Sequence, residues 1–335
     1  MFPPGFKVHD SAAILGSVEL GPRGVLAQGA VLRGRGGALR VGDHSLVLET
    51  CAVIGTPEHP ARIGRETVFG HRCLVVGATV GDLCEIGNGA ILMSGAVLGD
   101  GCILGEGALI PAGAVVEDHS VMVGSPARKA RTSTPEDRTR ILSLRGGAVV
   151  FSDAPLARVD VPFQAGGGMG RLYAYRGRTP QVDGSAVLFE SAELTGDVTV
   201  GPGSIIGAGV KIIGDSHGPV RIGAGVQILE NSVLHLLPDN ELVIEDGVVI
   251  GPGCMIHGCR IGQGSIVEPG CNISDWSELG RGCLVKAGSV VKQRSAFGEL
   301  SVIEGFPAKR ITTLEAPPLR PDWAFADGEL PVRVR

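Results

Sequence analysis

Aliphatic residues recur every six positions over long stretches of this chain. From Ile86 it reads IGNGAI, LMSGAV, LGDGCI, LGEGAL, IPAGAV, VEDHSV, and from Ile261 IGQGSI, VEPGCN, ISDWSE, LGRGCL, VKAGSV, VKQRSA, FGELSV. An aliphatic residue opens nearly every step, and Ala, Cys or Ser sits four places on. A fixed short period of this kind marks a stacked architecture, in which one repeat cannot bury its apolar face alone. Each step predicts one short strand and a turn, and three steps close a triangular coil. The aliphatic side chain fills the prism, the small residue fits near its corner, and the many glycines supply the backbone freedom that corners need.

The predicted fold is therefore all-β, with two tandem left-handed parallel β-helix domains joined by a short helix. One run of repeats covers residues 8–128 and ends VMVGSPARKAR; the other covers 182–310 and ends SVIEGFPAKR. The expected domains are residues 1–130 and 171–313, separated by a linker over 131–170 and followed by a Pro-rich tail over 314–335. Within the linker, TSTPEDRTRILSLR reads as a helix. Thr134 is placed to cap it, Pro135 suits its first turn, and Glu136 and Asp137 favour its positive end. FQAGGGMGR after it reads as a flexible connection, and the tail from Glu315 as an extended segment over a surface. Each half contains a five-residue step, VVGAT at 75–79 and IHGCR at 256–260, and a defect shared at matching places points to duplication.

Composition narrows the function classes. Net charge is −5, so no basic footprint for nucleic acid exists. Mean hydropathy is +0.25, yet no apolar run approaches the ~18 residues of a membrane helix. The first ten residues, MFPPGFKVHD, lack the basic start and apolar core of a signal peptide, and the eight cysteines include no C-x-x-C pair. A cytoplasmic protein acting on a small molecule is expected, with no nucleic-acid or membrane partner. Seven cysteines (51, 73, 84, 102, 254, 271 and 283) fall on the small-residue position, where packing explains them. Cys259 lies off it.

Two stretches add a resemblance. LYAYRGRTPQVDGSAVLFESAELTGDVTVGPGSIIGAGVKIIGDSHGPVRIGAGVQILENSVLHLLP and IGPGCMIHGCRIG in the second half resemble the γ-class carbonic anhydrases and their relatives; AVLRGRGGALRVG and VFGHRCLVVGATVG resemble them in the first. The resemblance implies prisms that meet in an oligomer, or here in an intrachain pseudo-oligomer. It also implies a divalent metal, zinc before iron or cobalt, held by two histidines of one prism and one of its neighbour. Neither half keeps all three. Aligned on the motifs, the first half offers Gly55, His71 and Val76, and the second His235, Pro252 and His257. The losses are complementary, so His71, His235 and His257 make one complete set. Three imidazoles suit zinc and leave a position for water. The family's Arg-Gly-Asp turn is likewise divided: Arg33 survives in the first half and Asp215 in the second, which implies an ion pair at the interface. The family's glutamine, six residues before the first histidine, aligns with Glu49 and Leu229. Glu49, Glu230 and Asn231 are the acid, base and polar candidates near the site.

The expected activity is that of a metal-dependent enzyme of this descent, performing CO2 hydration or a diverged lyase, hydrolase or rearrangement reaction. A hexapeptide acyltransferase using acyl-CoA, and a non-catalytic scaffold subunit, are the alternatives. His9, His44, His59, His119 and His217 read as solvated polar residues.

Overall fold

The computed structural model describes residues 2–144, 156–161, 170–215, 218–327 and 330. The Gly-rich connection and His217 lie outside them. The chain divides into two compact units, Met1–Phe163 and Gln164–Arg335, and each is a parallel β-solenoid.

In the second unit three parallel sheets form the prism faces, of seven, seven and eight strands among the described residues. Most strands are two residues long. Their register follows the repeat: Leu284 pairs with Val302 and Ile266 with Leu284, eighteen residues apart in each case. In the first unit one face is an eight-stranded sheet. The other two faces join in an eleven-stranded sheet, because Val31–Val41 runs unbroken around a corner. In both units the last coil runs into an antiparallel hairpin, Ser120–Gly124 with Ala127–Thr132 and Ser301–Gly305 with Ala308–Thr313.

The side-chain alternation of each short strand decides inside from outside. Ile86, Leu92, Leu98, Leu104 and Ile110 point inward and are buried in one continuous core; Leu194, Ile212, Leu234, Ile256 and Ile273 do so in the second unit. Burial of each contributes about 1.5–3 kcal/mol. The small-residue position has a second use. Cys51 Sγ donates to Gly70 O at 2.8 Å, Cys73 to Gly87 O at 3.1 Å, and Cys102 to Glu117 O at 3.1 Å. Ser45 and Ser204 do the same with their hydroxyls. Cys and Ser are thus interchangeable donors between coils, and all eight cysteines are free and buried. Between these positions the turn needs a left-handed residue, supplied by Gly89 (φ 66°) and Gly107 (φ 62°), and by Trp276 (φ 57°) at a non-glycine corner.

The five-residue steps appear as local shortenings. Seventeen residues separate Arg62 from Thr79 and Val243 from Arg260, against the eighteen that follow in each case.

The helix spans Pro135–Leu144. Thr134 Oγ1 accepts the Asp137 N–H at 3.3 Å, and Asp137 Oδ2 accepts the Thr134 N–H at 2.9 Å, a reciprocal cap with Asp in the usual Glu place. Arg131 also binds Asp137, and together these contacts hold its carboxyl well below the ordinary range.

The tail departs from expectation. It is not merely laid over a surface: Trp323, Ala324 and Phe325 are buried against the second prism. Gln227 Nε2 donates to Phe325 O, and Phe325 N–H donates to Gln227 Oε1, both at 2.9 Å. The Phe325 ring stacks on Phe189 at 5.6 Å. Nothing in a Pro-rich composition marks this, because the recognising groups are an outward-facing Gln and Phe that the repeat leaves unspecified.

A corner of the second prism carries its own ionic lock. Asp197 accepts from Arg221 Nη1 at 2.6 Å and also binds Arg178. The Arg221 hydrogen bond is the largest influence; against burial, which acts the other way, it and the Arg221 and Arg178 contacts hold the carboxyl below its ordinary value. Its folded pKa is depressed, so the stabilisation is present above the unfolded value near ~3.9 and lost as pH falls through the folded one. Thermal melts of wild type and Asp197→Asn from pH 7 to 3 are expected to differ at neutral pH and converge below about pH 4; a constant gap would remove the ion pair as its cause.

Candidate functional site

His235 and His257 follow the strands Val233–Leu234 and Met255–Ile256, which are stacked neighbours with Leu234 over Ile256. Both imidazoles therefore leave the same corner of the second prism, one coil apart, with ring centroids 6.5 Å apart and planes at 81°. Each is about one-third exposed.

A carboxylate stands behind each ring. Asp215 Oδ2 lies 3.9 Å from His235 Nε2. Asp275 Oδ2 lies 3.6 Å from His257 Nδ1, a buried nitrogen that makes no hydrogen bond among the described residues. Asp275 is itself nearly fully buried. Its Oδ1 accepts three donors: Leu237 N–H at 3.0 Å, Asn240 Nδ2 at 3.1 Å and Gly258 N–H at 3.1 Å. One carboxylate thus ties the insertion LLPDNELVIED to the corner that carries His257. The sequence reading missed it. ISDWSE looks like one more repeat, and only stacking places its Asp beneath a histidine eighteen residues earlier. Burial, and then the Asp275 charge, push the adjacent Cys259 thiol far up, so that cysteine is a packed, un-ionised group.

In the first prism His71 stands at a different corner, after Val68–Phe69. Its Nδ1 lies 2.7 Å from Glu49 Oε2, and both side chains are about half exposed. Its N–H donates to Asn88 Oδ1 at 2.7 Å.

The stacking register corrects two of the motif alignments. Val76, which stands where His257 does, stacks on Ile54. His257 stacks next to His235. The first-half residue matching His235 is therefore Ile54, not Gly55. By the same shift Glu49 matches Glu230, not Leu229: Glu49 O accepts from Arg72 N–H, and Glu230 O from Gly253 N–H, both across one coil. The cause is one extra residue in GDSHGPV relative to GRGGAL, placed before the coil of His235 rather than after it. Both halves thus keep a glutamate at this corner. Glu49 faces His71, whereas Glu230 is fully buried, which removes it from an open reaction surface. Asn231 follows it at a left-handed turn (φ 58°) close to Gly209. Arg33 is 3% exposed within its own unit. His44 is partly buried rather than fully solvated: burial lowers its pKa, against the opposing charge of Asp43.

Among the described residues no group of three or more His, Cys, Asp and Glu side chains is arranged to hold a metal ion. The second prism alone offers two imidazoles. They fit a divalent ion as a partial set, because each imidazole has a carboxylate near one ring nitrogen and the other nitrogen left to act as a donor. A separate cleft of about 370 Å³ lies between the helix and the first prism, lined by Leu83, Ile103, His119, Ser133, Arg138 and Ile141 among others. Its guanidinium is engaged with Glu66 at 3.2 Å.

Comparisons with known proteins agree with the repeat. A family model described as bacterial transferase hexapeptide (six repeats) matches residues 83–118 and 242–275, and one described as hexapeptide repeat of succinyl-transferase matches 60–94. A carbonic anhydrase of Geobacillus kaustophilus is 38% identical over 111 residues, 33% of this chain and 60% of the relative, less than two thirds of its length. The carnitine operon protein CaiE of Proteus is 32% identical over 140 residues, 42% of this chain and 71% of the relative. A hexapeptide transferase family protein from Anaplasma phagocytophilum, known from its crystal structure, is 29% identical with a TM-score of 0.41, over 43% of this chain and 84% of that one. No helix among the described residues is long and apolar enough to cross a membrane.

Proposed function

Because this chain belongs to the γ-carbonic-anhydrase-like hexapeptide-repeat family, we propose that it is a metal-dependent enzyme with one composite site: His235 and His257 from a second-half prism and His71 from a first-half prism. The single observation that carries the reading is the pair of imidazoles, on stacked coils, whose ring centroids lie 6.5 Å apart at one corner. The complementary losses support it. The slots of His235 and His257 hold Ile54 and Val76 in the first half, and the slot of His71 holds Pro252 in the second. The first-half prism is that of the same chain or of a second copy. The Arg33–Asp215 ion pair belongs to the same proposal.

A bound zinc, or iron or cobalt, supplies Lewis acidity and a water ionisable near pH ~7. The chain's residues do the rest. His71, His235 and His257 bind the ion. Glu49, at 2.7 Å from His71, orients that imidazole and is occupied in doing so. Leu237, two residues after His235, is an exposed apolar side chain on this side of the prism. The substrate is a small molecule: CO2, or a carbonyl compound in a lyase, hydrolase or rearrangement reaction. Elemental analysis of protein purified without chelator is expected to give about one tightly held divalent ion per chain; none after reconstitution would overturn the reading.

The Glu49–His71 contact favours one other reading, an acyltransferase in which His71 is a general base oriented by Glu49. It needs no metal, so the same analysis separates the two.

A further inference from the structure

We propose that Asp275 is the positioning residue of the site: it fixes the Nδ1–H tautomer of His257, leaving Nε2 to bind the ion. This rests on the composite-site reading.

Asp275 is a carboxylate with no solvent to satisfy it, being 3% exposed. A buried charge of that kind persists only when its oxygens are matched by donors. Oδ1 has three, all of them N–H groups from the insertion and the His257 corner. Oδ2 faces the Nδ1 of His257 at 3.6 Å, within ion-pair range and a few tenths of an ångström beyond a hydrogen bond. A carboxylate oxygen only accepts, so the nitrogen it faces is the one that carries the proton. The imidazole's remaining lone pair then sits on Nε2. Imidazole ligands gain orientation and basicity from such a partner.

The groups facing His257 from every packed element agree. Its own corner supplies Gly258 and Cys259, and Cys259 is held un-ionised. The coil before supplies His235, edge-on. The coil after supplies Asp275, with Trp276 beyond it held under Arg294 at 4.6 Å. Asp275 is the carboxylate that the structure places at His257 Nδ1.

The first prism gives an internal control. Trp276 N–H donates to Gly258 O, and Gly95 N–H donates to Gly77 O, so Asp275 matches Ser94 and His257 matches Val76. The same holds one coil earlier, where Asp215 and His235 match Arg35 and Ile54. Imidazole and carboxylate are present together in one half and absent together in the other.

Asp275→Asn in the full chain keeps an acceptor for the three N–H donors while its amide donates toward Nδ1. That forces the proton of His257 to Nε2. Two readouts are needed. The first is zinc affinity by competition with a chromophoric chelator: a 10–100-fold loss is expected, with wild-type stoichiometry reached at saturation and little change in melting temperature. The second is the ring-nitrogen NMR signature of His257 in metal-free protein labelled with ¹⁵N-histidine and assigned by loss of the signal in His257→Ala: a switch from the Nδ1–H to the Nε2–H form is expected. Unchanged affinity with zinc still bound would overturn the role of Asp275 and leave the composite site standing. No zinc in wild type would overturn the composite site, and the NMR signature would still decide the Asp275–His257 contact. An unswitched tautomer overturns it. If Asp275→Asn does not fold, Asp275→Ser, the residue of the first half, is read in the same two ways.

Discussion

Alanine at His71, His235 or His257, one at a time, is expected to abolish tight metal binding, each by more than the ~10–100-fold that loss of an outer partner costs. The three differ in what they leave behind. Without His235 or His257 the second prism keeps one imidazole of its stacked pair. Without His71 it keeps both, so a weak two-nitrogen site survives and is detected at high zinc. His119→Ala, in the cleft under the helix of the first prism, leaves binding intact. Metal content after gel filtration measures all four. Full retention by His71→Ala beside loss in His235→Ala would show that a site exists within one prism and that the complementary pattern of the halves is accidental.

Phe325→Ala is expected to release the C-terminal strap. The ring is fully buried and stacked on Phe189, and truncating a buried Phe costs about 3–5 kcal/mol. The prism core does not depend on it, so the cost falls on attachment of the strap rather than on the melting of the coils. A shift of that size raises the detached fraction by roughly two to three powers of ten. Gln227→Ala acts through the same contact. It removes the donor and the acceptor that meet the carbonyl and N–H of Phe325, and so weakens the same attachment. Limited proteolysis between Pro317 and Phe325 reads both. Equal cleavage rates in wild type and both variants would mean that the strap is held elsewhere.

The coils were legible because the six-residue period states its own packing rule. Ile86, Leu92 and Leu98 could face nowhere but inward, and Cys or Ser four places on could only be small donors at a corner. The helix cap was legible for a similar reason, since Thr134, Pro135 and Asp137 act within one turn. The histidines at the candidate site were legible as departures from the repeat. Their registration was not. One inserted residue in GDSHGPV moves every later match by one, and motif alignment absorbs that shift in the wrong loop, whereas hydrogen bonds between coils do not. That is why motif spacing points to Gly55 and Leu229, where the stacked coils place Ile54 and Glu230. Asp275 was hidden for a deeper reason: a solenoid makes neighbours of residues seventeen or eighteen apart, a spacing with no local signature. The strap was hidden because binding by Gln227 and Phe189 uses outward positions, which the period leaves unconstrained.

A stack in which each coil touches only the coils above and below behaves as a one-dimensional chain, and such chains loosen from their ends. The strap changes that boundary. It leaves the last coil, where Leu314 N–H bonds Leu300 O, and is fastened at the coil of Gln227, reached from Val302 through Leu284, Ile266 and Val249. The terminal coils of the second unit cannot open one by one while that fastening holds. Their backbone amides are expected to exchange with solvent as a block, at a rate set by release of the strap, and hydrogen exchange read coil by coil checks this. In the first unit the segment after the terminal hairpin also reaches back, with Arg138 of the helix 3.2 Å from Glu66 and Ala157–Val161 paired antiparallel with Gly16–Leu20.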